Sequence, residues 1–295
     1  MQKNIEVISQ WTESAQYWEK HRKIIRHMFA PVTQALMKAA AITRRGAFLD
    51  LATGPGEPAL SIAELIGSEG TVVGTDPVAE MVEAARREGE RRGLHNATFE
   101  VAFAENLPFP ANSFDAVVSR FGVMFFASPA DALRECLRVL KPGGRIAMAV
   151  WHFVEKNPFH YTVAQVLERY VDSPPPAPDS PDAFRFASPG KLQAVLSAAG
   201  AAATSERLLR FSIEAPISVE SFWTLRSEMS EKLRRKIAAL SKQQISALKH
   251  EVLESLKTYS SEQGISFPAE VLIVSGRKER AHELNREQLS SGGTL

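Results

Sequence analysis

Cysteine is nearly missing from this chain. Cys136 is the single one among 295 residues, which excludes an internal disulfide framework and any metal site built from several thiolates. A surplus of one charge sign is missing too: 35 basic side chains stand against 34 acidic ones, a net charge of +1. No global field therefore draws the chain to nucleic acid or to an anionic membrane. No uninterrupted apolar run approaches the roughly 18 residues that a membrane span needs. The opening Met1-Gln2-Lys3-Asn4-Ile5-Glu6 lacks the apolar core of a signal peptide. These absences make a cytoplasmic protein with no metal, no nucleic-acid partner and no membrane span the expectation. What is abundant is apolar material: 44% of residues are hydrophobic, ample for the core of a large α/β domain.

The patterning supports that class. Residues 1–44 carry Trp11, Tyr17, Trp18, Ile24, Ile25, Met28, Phe29, Leu36 and Met37 at helical steps, predicting a helical cap broken at Pro31. Short apolar strands follow at 47–52, Val72–Asp76, Thr98–Phe103, Ala116–Ser119 and Arg145–Trp151. Helices are predicted between them, after Pro58, over Val78–Arg92 with Glu83 and Arg87 paired, and over Pro129–Leu140 with Cys136 on its apolar side. Such alternation means a parallel sheet covered on both faces. Beyond residue 152 the pattern changes. A helix over Asn157–Tyr170, a proline cluster from Pro174 to Pro181, a helix over Ser188–Ala199 capped by Ser188, and a strand over Arg207–Ile213 are expected. Residues 218–263 read as a long amphipathic helical insertion before a last strand at Val271–Val274, with a flexible tail over 279–295. The run Lys232-Leu233-Arg234-Arg235-Lys236 reads as a solvated helix face.

The most informative stretch is Phe48-Leu49-Asp50-Leu51-Ala52-Thr53-Gly54-Pro55-Gly56-Glu57-Pro58-Ala59. An apolar strand ends at an acid, passes through a loop nearly stripped of side chains and enters a helix, so a ligand can approach backbone there. Gly54-x-Gly56-x-x-Ala59 satisfies the dinucleotide fingerprint, and Asp76 lies at the right distance to accept ribose hydroxyls. On those residues alone, an NAD(P)-dependent oxidoreductase and an S-adenosylmethionine enzyme both stand. Asp50 leans toward the second, because a carboxylate there repels a pyrophosphate and suits an ammonium group.

Further motifs extend the match. Ala104-Glu105-Asn106-Leu107-Pro108-Phe109, Ser113-Phe114-Asp115 and Leu140-Lys141-Pro142-Gly143-Gly144 follow in order. With Leu49–Gly56 and Gly74-Thr75-Asp76, the chain resembles the class I S-adenosylmethionine-dependent methyltransferases over roughly residues 45–152. It is similar in particular to the small-molecule type 11 group, which includes ubiquinone/menaquinone C-methyltransferases. The resemblance implies a doubly wound, mostly parallel seven-stranded sheet of Rossmann-like kind, with a cap over 1–44, a donor-binding core over 45–152 and an acceptor-binding part over 153–278. It implies that Asp50, Ala52, Thr53, Gly54 and Gly56 line the methionine end and that Asp76 holds the ribose. Pro77 and Val78 would pack on adenine, with Ala104 and Glu105 at its edge and Ser119 and Arg120 near the sulfonium. Two departures stand out. Ala52 replaces a common glycine, tolerable at a negative φ, and Phe103 replaces a common adenine-binding aspartate.

Methyl transfer from a sulfonium needs little beyond alignment and exclusion of water. The expected activity is transfer to oxygen, carbon or nitrogen of a small, partly apolar acceptor. Phe121, Met124, Phe125 and Trp151 are candidate acceptor contacts, Tyr17 and Trp18 candidate covers, and His152 and His160 candidate bases for an acceptor that must lose a proton. The insertion can cover the acceptor pocket or form a homodimer contact. A non-catalytic S-adenosylmethionine-binding protein is the remaining alternative.

Overall fold

The computed structural model describes residues 2–172 and 177–280. Three helices open the chain, α1 (Gln2–Lys20), α2 (Arg22–Met28) and α3 (Ala30–Ala39). The break expected at Pro31 falls two residues earlier, at Phe29, and a second occurs at His21. Pro31 itself sits in the first turn of α3, where its missing N–H has no helical acceptor to lose. Five parallel strands follow: β1 (Gly46–Leu51), β2 (Gly70–Asp76), β3 (Ala97–Val101), β4 (Phe114–Arg120) and β5 (Leu140–Trp151). Helices α4 (Ala59–Ile66), α5 (Ala79–Arg91) and α6 (Pro129–Val139) connect them. The third strand stops short of Phe103, which instead bridges to Asn106 in a turn.

After α7 (Pro158–Leu167) and α8 (Lys191–Ala198) comes β6 (Ala202–Ala215), and then the insertion. It comprises α9 (Val219–Met229), α10 (Glu231–Ala238), α11 (Lys242–Leu256) and the two-residue β7 (Ser260–Ser261) before β8 (Gly264–Arg277). The sheet order is β3-β2-β1-β4-β5-β8-β6, with β7 pairing β8 to one side. The seven strands of that path match the expected fold class. Strand β8 runs antiparallel to both its neighbours, β5 and β6. The last four residues of β1 are all buried, as a parallel strand covered on both faces requires. Strand β6 alternates over most of its length, as a half-wet edge strand should. Pro268 is tolerated in β8 because β5 pairs only from Val271 onward; its missing donor faces no partner strand.

Several local expectations change. The insertion is three helices rather than one, because Ser230 and Ser241 each cap a new helix: Ser230 Oγ accepts from the Leu233 amide at 3.3 Å and Ser241 Oγ from Gln244 at 3.3 Å. The Gln244 side chain answers the Ser241 amide at 3.0 Å, completing a capping box. Helix α8 is not capped by Ser188. Its N-cap is Gly190 at φ 79, whose amide donates to the Glu206 carboxylate at 2.9 Å. Glu83 pairs with Arg86, not Arg87, and Arg87 reaches Glu19 in α1 at 2.9 Å. Cys136 is buried in the core as expected. The run at 232–236 is not simply solvated: Lys232 meets Asp182 at 3.1 Å, and Arg234 lies over the Tyr17 ring. The residues of the proline cluster at 174–176 and of the tail from 281 lie outside those described.

The cap is fastened to the sheet layer by charge. Glu88 in α5 is 2% exposed and is held by Arg22 at 3.0 Å, Arg91 at 2.6 Å and Arg92 at 2.8 Å. The hydrogen bond from Arg91, with the other guanidinium groups around it, holds its carboxyl down at about 2. Lys20 and His21 likewise meet Glu228 of α9 at 2.7 and 2.6 Å, joining cap to insertion. Glu88→Gln should destabilise the fold by about 1–3 kcal/mol at pH 7, since it removes the buried charge that Arg22, Arg91 and Arg92 share, although Arg92 keeps Glu57 at 3.0 Å. The Glu88 carboxyl is depressed in the folded state, so its contribution is present above its ordinary value of 4.5. It is lost as pH falls toward 2, and denaturant titrations of both proteins at pH 7 and pH 3 should converge.

Candidate active site

The loop after β1 is wound tightly: Ala52, Gly54 and Gly56 have φ values of 53, 55 and 109. Two buried carboxylates hold it from opposite sides. Asp76, at the end of β2, accepts from the Gly54 amide at 2.9 Å with one oxygen and from the Val78 amide at 3.0 Å with the other. Asp50, inside β1, accepts from Thr53 Oγ1 at 2.6 Å and from the Ala59 amide at 3.0 Å through Oδ2. Its Oδ1 is buried without a partner. Burial pushes the Asp50 carboxyl up to about 7 and that of Asp76 up to about 6, because neither gains enough hydrogen bonding to offset lost water.

Gly56 is required twice over, by its φ and because a Cβ there would stand 2.5 Å from Leu60 Cδ1. Ala52 does not meet the condition of a negative φ: it is left-handed. The fold accommodates its methyl group by placing Gly122 opposite, where any Cβ would lie 2.5 Å from Ala52 Cβ and 2.6 Å from Ser119 Oγ. Phe121, at φ 66, is the second strained residue of the same wall. Such conformations cost about 1–3 kcal/mol each and gather where a site dictates backbone shape.

A cavity of about 340 Å³ opens over these strand ends, within the range of small-molecule sites. One half is bounded by Ala52, Thr53, Gly54, Asp76, Pro77 and Val78, with Ala104 and Glu105 beyond. Glu105 also accepts from the Ser128 amide at 3.1 Å, ahead of α6. Phe103 lines this half, partly exposed. The other half is aromatic. Phe121 stacks on Trp151 with ring centroids 4.4 Å apart, and Met124, Phe125 and Phe159 complete it. Arg120 is there too, donating to Thr33 Oγ1 at 2.8 Å. Trp11 and Trp18 of α1 roof the cavity, with Trp11 packed edge-on against Phe125 at 5.1 Å.

Five of the residues singled out from sequence stand away from the cavity surface. Asp50, Gly56 and Ser119 lie behind the wall, Ser119 Oγ donating to the Leu51 carbonyl at 2.9 Å. Tyr17 faces Arg234. His152 is turned to Glu270, with Nδ1 2.7 Å from its carboxylate. His160 does line the cavity, but burial and the nearby Arg226 hold it well below its ordinary value, so it is neutral and a weak base. Sequence reading missed Trp11, Arg22, Phe29, Phe159 and Arg226, all on the cavity wall. Only Arg226 left a signal: it is a charged residue on the stripe of Phe222, Leu225 and Met229.

The comparisons with known proteins agree with this geometry. A family profile described as a methyltransferase domain matches residues 49–148. The demethylmenaquinone methyltransferase of Thermus thermophilus is 37% identical over 179 residues, which cover 57% of this chain and 79% of that protein. The chain belongs to the class I S-adenosylmethionine-dependent methyltransferases, in their type 11 group. Other curated relatives are matched less fully: for three of them, among which is the uncharacterized methyltransferase YcgJ of Bacillus subtilis (31% identical), the chain spans only 44% to 60% of their length. The crystal structure of YcgJ superposes with a TM-score of 0.54 at 22% identity, covering 84% of this chain and 98% of that one, a likeness of fold. The family's donor fits the residues present. Asp50, buried behind the loop with one oxygen unpartnered, gives that end of the site a field that favours a cation, and each Asp76 oxygen keeps a lone pair beyond the one its amide uses.

Two outcomes follow for the loop. Ala52→Gly should raise stability by about 1 kcal/mol by relieving the left-handed strain. Gly122→Ala should destabilise the wild-type chain far more than the Ala52→Gly chain in thermal denaturation. Asp50 holds its proton more tightly folded than unfolded, so the wild type loses stability as pH rises from about 4 to about 7. Asp50→Asn should lose Asp50's share of that slope while Asp76 keeps its own, so its melting temperature relative to wild type should climb across the same window.

Proposed function

We propose that this protein transfers a methyl group from S-adenosylmethionine to oxygen, carbon or nitrogen of a small, partly apolar molecule. The observation that carries the reading is the union, in one cavity, of a backbone-lined loop with a ribose-ready carboxylate and a closed aromatic chamber. When bound, the donor supplies an electrophilic methyl group whose departure leaves a neutral thioether. In this reading Asp76 accepts from the ribose hydroxyls while its amide bonds keep it aimed, and Pro77 and Val78 pack on the adenine face with Ala104 and Glu105 at the edge. The amino-acid end lies against the glycine-bearing loop and is drawn there by the electrostatic pull of Asp50, and Arg120 helps neutralise the carboxylates nearby. Phe121, Met124, Phe125 and Trp151 form an apolar slot that orients the acceptor and keeps water away, and Trp18 closes it. Alignment of this kind supplies most of what a displacement needs.

The same reading divides the chain into a cap, a donor-binding core over 45–152 and an acceptor part that includes the insertion, and keeps it in the cytoplasm. Among the described residues no helix is long and apolar enough to cross a membrane. Neither histidine serves as base here: His152 is away from the cavity and His160 is a poor proton acceptor. The acceptor is read as one that does not depend on a histidine to take its proton.

Calorimetry should show S-adenosylhomocysteine binding and NAD not binding; the reverse result removes the proposal in favour of an oxidoreductase. Asp76→Ala should weaken S-adenosylhomocysteine at least about a hundredfold, the loss of about 3 kcal/mol expected for two hydrogen bonds to a charged group. A methyl-labelled donor offered with phenols, quinols, amines and thiols should yield a labelled product; binding without any transfer would leave a cofactor-holding protein instead.

A further inference from the structure

Arg226 is the one cavity-lining arginine described with no hydrogen-bond or ion-pair partner. It is 8% exposed, its guanidinium lies 4.5 Å above the centre of the Phe159 ring, and its Nε is buried with no hydrogen-bond acceptor. The other cationic groups of the wall are engaged. Arg22 bonds Glu88, Arg120 bonds Thr33, and Lys232 pairs with Asp182. Burial alone lowers the Arg226 guanidinium to about 10, and no acidic neighbour among the described residues raises it again. His160, which feels the charge of Arg226, presents a second unsatisfied atom: its Nε2 is buried without a partner. Its ring lies edge-on to Trp151, with centroids 4.5 Å apart.

A buried cation without a counter-ion is costly, by several kcal/mol in real proteins, and nothing in the packing of α9 demands it. Leucine or methionine would continue the stripe of Phe222, Leu225 and Met229 without that cost. A ligand that brings the missing negative charge removes the cost when it binds, and the Phe121, Trp151 and Phe159 rings of the same cavity suit an aromatic body beside that charge. We propose that Arg226, assisted by His160, is the anion-recognition end of the acceptor site, so that the acceptor is a planar molecule carrying an anionic oxygen, a carboxylate or an ionised phenol or enol. Calling that ligand the acceptor rests on the methyltransferase reading above; the anion site itself does not. Guanidinium suits such oxygens because its N–H groups form a planar fork that meets two lone pairs at once. Cation–π contact with Phe159 holds the fork in place between turnovers.

The test uses the full chain and calorimetry, with and without saturating S-adenosylhomocysteine. Benzoate, salicylate, 1-naphthoate and a nitrophenolate are compared with benzamide, salicylamide, 1-naphthamide and nitrobenzene. At least one acid should bind ten times or more tighter than its neutral counterpart, and carboxylates against the phenolate distinguish the two sources of charge. In Arg226→Met that preference should vanish, while affinity for S-adenosylhomocysteine stays within about twofold. Arg226→Lys should retain a reduced preference for the acid. The ligand-free Arg226→Met protein should melt at the same temperature as wild type or higher, because it no longer buries a lone charge. Equal binding of acids and neutral partners, no acid bound at all, or a preference that survives in Arg226→Met each overturns the proposal. A melting temperature well below wild type assigns Arg226 a packing role and overturns it as well. Failure of the wild type to bind S-adenosylhomocysteine would count against the donor reading alone, since the acid titrations without it still report on Arg226.

Discussion

Two carboxylates buried at the carboxyl ends of adjacent parallel strands shape everything around the site. Asp50 and Asp76 sit on β1 and β2, which pair so that Asp50 faces Gly74 and Leu51 faces Thr75. From there they grip the same loop: Asp50 through Thr53 and the first amide of α4, Asp76 through Gly54. Each loses its hydration shell, and each recovers only part of it from hydrogen bonds. The loop is thereby held open in a left-handed winding that no free peptide would choose. Its side-chain-poor backbone and the remaining Asp76 lone pairs are what a polar ligand meets.

The strain that this winding imposes spreads into the neighbouring strand. Ala52 and Phe121 both occupy left-handed backbone, and Gly122 has no side chain because the Ala52 methyl group fills that space. β1 and β4 are adjacent, so the shape of the glycine-bearing loop and the position of Phe121 in the aromatic half of the cavity are coupled. Phe121 in turn stacks on Trp151 of β5. The aromatic chamber is therefore set by the same backbone constraint as the loop, not by independent packing.

Closure is a matter of charge rather than of apolar contact alone. Helices α1 and α2 lie over the strand ends because Arg22, Lys20 and His21 find carboxylates on α5 and α9. Trp18 adds a hydrogen bond of 3.3 Å from its indole to the Met229 carbonyl. The cap and the insertion, far apart in sequence, thus meet above the cavity. The insertion's helices begin at serines whose hydroxyls bond the next turn, a signal present in the sequence and overridden there by the continuous apolar stripe.

The strand-loop-helix plan, Asp76, the glycine winding and the aromatic run at 121–126 were legible because they depend on local order: short apolar runs, turn residues and fixed spacing. So was the family, since its motifs lie within one hundred consecutive residues. Local patterns could not say that Asp50 stands behind the loop, that Ala52 is left-handed, or that His152 turns to Glu270 across the sheet. Those depend on which strand end faces which, a long-range matter. The lone Arg226 is the clearest case. Its sequence neighbours mark a helix face, but only the folded chain decides that the face borders a cavity and that no carboxylate among the described residues pairs with the charge.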